Sequence, residues 1–369
     1  MIYFLILCLF FLIWIFNFQS SNNITKSDNY ERTYKDLVFI MGATVFLTFF
    51  SGLRGLTGTD TITYLFFYQA DLYPDSMEKI YLGMSRFFAR NGAPFYVFQL
   101  VVSFLTIFPI FVQYWKKSKN LYFIFFLFFL FSFYLYSFNV SRQTLAAAIL
   151  AYAYLSLNKK SIRSIALFIF LGVISIGIHQ SSLYIFIALI ILNFVGEVLF
   201  NSKIKLMLIG IMGIIFSLFF YKTNYVFDKL TSLQTSFPDY SAYITTATAV
   251  GVLTNKSVTT LVIALIGSII ILLYSRYPHE DRNIQLFSPF FLFIIFEILQ
   301  VNWISDRMAV FLLPIIPLFL THMVYDKSSV NISNKLRYVV LILVILMGSV
   351  EFGRMVIQNF GQISPYMGG

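Results

Sequence analysis

Three arginines in this 369-residue chain stand where a strongly apolar sequence has little reason to hold fixed charge. Arg54 lies in Ser51-Gly52-Leu53-Arg54-Gly55-Leu56-Thr57-Gly58-Thr59-Asp60, Arg142 in Asn139-Val140-Ser141-Arg142-Gln143, and Arg307 in Asn302-Trp303-Ile304-Ser305-Asp306-Arg307. A guanidinium keeps its proton under all ordinary conditions, so each of the three needs a counter-charge. Asp60 and Asp306 could supply it as structural ion pairs. The arginines could equally hold a phosphate, to which a planar guanidinium donates two parallel hydrogen bonds. At a membrane surface the phosphate at hand is a lipid's. Glycines 52, 55 and 58 would let the backbone turn closely against such a ligand. His179 occupies the short connection Gly177-Ile178-His179-Gln180-Ser181-Ser182, and Glu297 and Gln300, spaced i, i+3, share one helical face directed to the same rim.

Other chemistries find no support in the residue pattern. There is no Asp-x-Asp, no His-x-x-x-His and no thiolate pair, so a metal centre is not expected. The glycine-rich stretch 52–58 lacks the Gly-Lys-Ser/Thr of a nucleotide-binding loop. Cys8, the single cysteine, excludes a disulfide framework. His279 and His322 belong to cytoplasmic-side segments in the topology derived below and are assigned no role.

The elements that must position these residues follow from composition. Hydrophobic residues make up 59% and charged residues 11% of the chain, where a soluble domain carries roughly 25% charged residues. With a mean hydropathy of +0.81, the expectation is an all-α polytopic membrane protein, a single transmembrane domain over residues 1–369. The apolar runs are 2–19, 36–51, 94–115, 121–138, 143–157, 162–178, 181–200, 204–221, 257–275, 284–301, 308–325 and 338–352, which predicts twelve transmembrane helices. The first run opens without Lys or Arg and is not followed by a small-x-small cleavage site, so it reads as a retained helix. The aromatic peak at Leu121 to Phe138 reads as a compositional bias at lipid-facing positions, in preference to a platform for sugar rings.

Of the 26 Lys and Arg, 16 fall in the short odd-numbered connections, which the positive-inside rule makes cytoplasmic. Both termini and the long loops 52–93 and 222–256 are then extracytoplasmic, and those loops are the only segments large enough to fold over a lipid-facing cavity. The net charge of +10 is accounted for by topology and anionic membrane lipids, with no nucleic acid partner expected.

Taken in order, Arg54-x-x-x-Gly58-x-Asp60-x-x-x-Tyr64, Ser141-Arg142-Gln143, His179-x-Ser181 and Asp306-Arg307 resemble the EpsG group of Wzy-type polysaccharide polymerases, over about residues 36–325. The resemblance implies an inverting glycosyltransferase of the bacterial cytoplasmic membrane, acting on its outer face and joining undecaprenyl-diphosphate-linked oligosaccharides into an O-antigen or capsule chain. A chain-length regulator would be a further partner. Diphosphate leaves without help from a general acid, unlike the alcohol of glycoside hydrolysis. The reaction therefore wants fixed positive charge on the leaving group, for which Arg54, Arg142 and Arg307 are the candidates. It also wants one base, either His179 or Asp60, with Asp306, Tyr64, Gln143 and Glu297 in support. No cofactor is implied. An O-antigen ligase would share the donor and differ in the acceptor. A flippase would need polar groups near the bilayer midplane, whereas these residues ring one face.

Overall fold

The computed structural model describes residues 2–22, 33–75, 77–223, 258–277, 283–299, 307–325 and 333–357, together with 359, 362, 363 and 366. Among the described residues all regular structure is helical: α1 (Ile2–Asn22), α2 (Tyr34–Gly52), α3 (Thr59–Ala70), α4 (Lys79–Arg90), α5 (Phe95–Lys117), α6 (Leu121–Leu130), α7 (Phe133–Tyr136), α8 (Ser141–Leu155), α9 (Ile162–Ile178), α10 (Ser182–Phe200), α11 (Lys203–Lys222), α12 (Val258–Tyr274), α13 (Ile284–Ile298), α14 (Ile316–Tyr325) and α15 (Asn334–Ile357). Five of them, α2, α5, α10, α11 and α15, are long and apolar enough to cross a membrane, and shorter apolar helices accompany them. This is the make-up of a polytopic membrane protein. Twelve crossings remain an expectation beyond those five, and 224–257, nearly all of the second long connection, lies outside the described residues.

Polar caps decide where the apolar runs begin to coil. Thr33 and Asp36 form a reciprocal capping box at α2. Asn120, Ser161 and Asn283 each accept a backbone N–H with their side chains at the starts of α6, α9 and α13.

Three expectations change. Residues 52–93 are not a loop over a cavity but largely two helices, α3 and α4, packed against each other and against α5. The aromatic peak is not lipid-facing. Leu121 and every residue from Phe123 to Phe131 are at most 3% exposed, with α1, α14 and α15 around them, the position expected of a helix apolar on all sides. Finally, two of the apolar runs are broken. Ser132, at φ 61°, ends α6 and sets off the single turn of α7. The eleventh run divides at 311–315 between a helical turn at 307–310 and α14. Broken backbone inside an apolar bundle needs internal partners. Tyr114 supplies one, donating to the Pro314 carbonyl at 2.6 Å, and at the other break the Ser132 N–H donates to the Phe129 carbonyl at 3.0 Å.

Candidate functional site

Both breaks deliver polar residues to one place. The turn after α7 carries Asn139, whose Oδ1 accepts from the Thr59 hydroxyl at 2.6 Å and from the Asp60 N–H at 3.1 Å. The N-cap of α3 is Gly58, which has no side chain to close its own helix, so Asn139 caps α3 from across the fold. Gly58 sits at φ +93°, and a Cβ there would stand 2.1 Å from the Phe138 carbonyl oxygen. Only glycine fits this approach. Asp60, at the start of α3, is thereby fixed beside the start of α8.

Arg142 is the second residue of α8, at the positive end of the helix dipole, where a cation is disfavoured. A carboxylate compensates it. Arg142 Nη1 donates to Glu78 Oε2 at 2.6 Å, and its Nε donates to the Tyr64 hydroxyl at 3.2 Å. The guanidinium carbon lies 5.4 Å from the Tyr64 ring centre and 5.8 Å from that of Tyr81, within cation–π range.

The other oxygen of Glu78 reaches the connection between α9 and α10. Glu78 Oε1 is 3.1 Å from His179 Nδ1 and accepts the Gln180 N–H at 3.0 Å. Glycine makes the approach possible: a Cβ on Gly177 would come within 2.5 Å of the Ile80 side chain, so α4 closes on α9 two residues from each member of the Glu78–His179 pair. His179 also lies nearly parallel to Phe311, ring centres 6.1 Å apart. Burial pushes the Glu78 carboxyl up, but His179, the Gln180 N–H and Arg142 together outweigh it and hold it down at about 2.

Asp60 behaves oppositely. Burial pushes its carboxyl above the usual range, with Arg307 and then Arg142 pulling against that rise. Arg307 is held at this end of the bundle through its main chain, since the Gln143 amide donates to the Arg307 carbonyl.

The structure thus brings Asp60, Tyr64, Arg142, Gln143, His179 and Arg307 into one neighbourhood. It treats Arg54 differently from the sequence expectation. Arg54 is only 3% exposed; its Nη1 donates to the Ser51 carbonyl at 2.9 Å and its guanidinium lies 5.8 Å from the Phe138 ring centre. Tyr81 and Tyr64 are within electrostatic reach of both Arg54 and Arg142, so Arg54 belongs to the packed floor behind these phenols. Glu297 is fully buried within α13. Asp306 and Gln300 lie outside the described residues. Among the described residues no three His, Cys, Asp or Glu side chains come together as a metal-binding group.

Glu78 was not among the residues expected from sequence. It shares 52–93 with Asp60, Asp71 and Asp75, and Asp71 pairs with Arg86 and Arg90 instead. The available signal was the amphipathic pattern of Lys79 to Arg90, which marks a helix and hence a structured start to it at Glu78.

Comparison with known proteins adds one match. The model of the EpsG family matches residues 37–367, nearly the whole chain. No curated protein and no solved structure matches significantly.

Proposed function

The chain belongs to the EpsG family, a family of Wzy-type polymerases, and from that premise we propose that it joins undecaprenyl-diphosphate-linked oligosaccharide units into a polysaccharide at the outer face of the bacterial cytoplasmic membrane. The observation that carries the chemistry is the cluster of Arg142, Glu78 and His179 beside Asp60 and Arg307. A hydroxyl oxygen of one lipid-linked unit attacks the anomeric carbon of another, the bond from that carbon to the diphosphate oxygen breaks, and configuration inverts. The hydroxyl proton passes to His179, or to Asp60 if that carboxylate is the base. The electron pair leaves with the diphosphate, whose charge Arg142 and Arg307 stabilise from fixed positions. Arg54, whose Nη1 donates to the Ser51 carbonyl, acts from behind by holding the turn between α2 and α3.

Purified full-length protein supplied with lipid-linked repeat units tests this reading. The expected product is a ladder of chain lengths, formed equally well in EDTA. A single transfer to a different acceptor would make the protein a ligase. No transfer at all would defeat the enzyme reading, and a requirement for a restored divalent ion would defeat the metal-independent mechanism.

A further inference from the structure

We infer that Glu78 is the positioning residue of this site, holding His179 with its proton on Nδ1 and Nε2 left as the acceptor, while its second oxygen fixes Arg142. The inference rests on the polymerase reading above and assigns a role to a carboxylate within it.

The geometry of the ring comes first. Nδ1 is buried and makes no well-aligned hydrogen bond, and Glu78 Oε1 stands 3.1 Å from it; since a carboxylate oxygen offers only lone pairs, the contact is favourable when Nδ1 bears the hydrogen. The remaining nitrogen, Nε2, is then the lone-pair nitrogen, as a base requires. Gln180 reinforces the arrangement, because its N–H ties the same oxygen to the turn that carries His179. The carboxylate is therefore fixed to the main chain of the base, as well as to its ring.

Placement of Glu78 in its own helix points the same way. It is the N-cap residue of α4, yet its side chain accepts no N–H of that helix. A carboxylate beside four unsatisfied N–H groups has an obvious local use. Instead it turns toward α8 and the α9–α10 connection, where it sits with only 14% of its side chain exposed.

Charge accounting explains the benefit. Around Glu78 and Arg142 the charged and titratable groups are Asp60 and Tyr64 from α3, Tyr81 from α4, Arg142 from α8, His179 from the α9–α10 connection, and Arg307. When the attacking hydroxyl gives its proton to Nε2, an imidazolium forms close to Arg142, which shares Glu78 with it. Glu78 is the carboxylate in ion-pair contact with it, the relation that the aspartate of a Ser-His-Asp triad has to its histidine.

The test measures kcat and KM against pH for the full-length protein in membrane mimetic with lipid-linked repeat units, comparing wild type, Glu78→Gln, Glu78→Asp, His179→Ala and the Glu78→Gln/His179→Ala double variant. Glu78→Gln should lower kcat about 100-fold, within the range a positioned base contributes, with a smaller change in KM. The acidic limb of its kcat/KM profile should move to lower pH, because the protonated ring has lost its counter-ion. Glu78→Asp should recover part of the rate. In the His179→Ala background Glu78→Gln should cost much less than in the wild-type background, the remainder being what its contact with Arg142 contributes. An unmoved acidic limb, or a full multiplicative loss in the double variant, would show that Glu78 only braces the fold. If Glu78→Gln does not accumulate, Glu78→Asp decides: an unchanged kcat and pH limb overturn the inference. Absence of polymer from the wild type would instead count against the polymerase reading.

Discussion

Asp60 and His179 are the two groups able to take the acceptor's proton, and their surroundings separate them. Burial leaves Asp60 more basic than an ordinary carboxylate, but Arg307 and Arg142 oppose that and favour its charged form. A carboxylate beside two arginines is well placed to orient them. His179 has the complementary arrangement, one nitrogen against Glu78 and the ring against Phe311. His179→Ala is therefore expected to fold, to bind lipid-linked substrate, and to lose roughly 10²- to 10⁴-fold in kcat. Asp60→Asn should lose less in kcat and more in KM, because it would disturb the cations that hold the diphosphate. A well-folded, inactive Asp60→Asn alongside a fully active His179→Ala would transfer the role of base to Asp60. The same scale separates the arginines: Arg142 and Arg307 stand beside Asp60, while Arg54 is buried against Ser51 and Phe138 with its Nε making no hydrogen bond.

At the scale of elements, the site exists because helices are interrupted where an uninterrupted one would have been cheaper. The break at Ser132 lets the turn after α7 place Asn139 over the start of α3, and the break at 311–315 sets Phe311 against His179. The join between these pieces is tightest at Gly58. Gly58→Ala meets two penalties, a φ of +93° and a contact of 2.1 Å with the Phe138 carbonyl oxygen. Together they should cost about 2 kcal/mol or more and displace Asp60. The expected result is a lower melting temperature in detergent and loss of polymerising activity. Gly42→Ala in α2 is the control: nothing lies within 4 Å of a Cβ there, and stability should be kept or gained by roughly 0.5–1 kcal/mol. If Gly58→Ala melts and polymerises like wild type, the α3–α7 junction is not what fixes Asp60.

For the whole molecule the expectation concerns orientation, and it follows from the 16 positive charges of the short odd-numbered connections. They predict that the end of the bundle carrying Lys116 and Lys117 faces the cytoplasm and that the opposite end, with the segment between α2 and α5, faces outward. In a Cys8→Ser background, a membrane-impermeant thiol reagent applied to intact cells should modify cysteine placed at exposed Asn91 but not at exposed Lys116. Permeabilised cells should label both. The reverse pattern would put the cluster of Arg142, Glu78 and His179 on the cytoplasmic face and exclude polymerisation at the outer leaflet.

By itself the sequence determined the helices and most of the polar set. The ends of the apolar runs from 162 to 275 agree with α9 through α12 to within a residue or so wherever they are described, because runs of nonpolar residues end at polar caps and a polar backbone cannot be left bare in an apolar medium. Asp60, Arg142, His179 and Arg307 were legible for a related reason: with so few charges in the chain, each one left outside the basic loops stands out. Other features were decided only by tertiary structure. A helix apolar on every side reads identically whether lipid or protein surrounds it, so the burial of α6 came from its neighbours. Asp71, Asp75 and Glu78 are equivalent carboxylates along the chain, and the close approach of Ile80 to Gly177 is what carries Glu78 to His179. Arg54 shows the converse, since its residue type and spacing match those of a phosphate ligand. A guanidinium's reach is long and its direction is set by the nearest unsatisfied acceptor, here the Ser51 carbonyl at the end of α2.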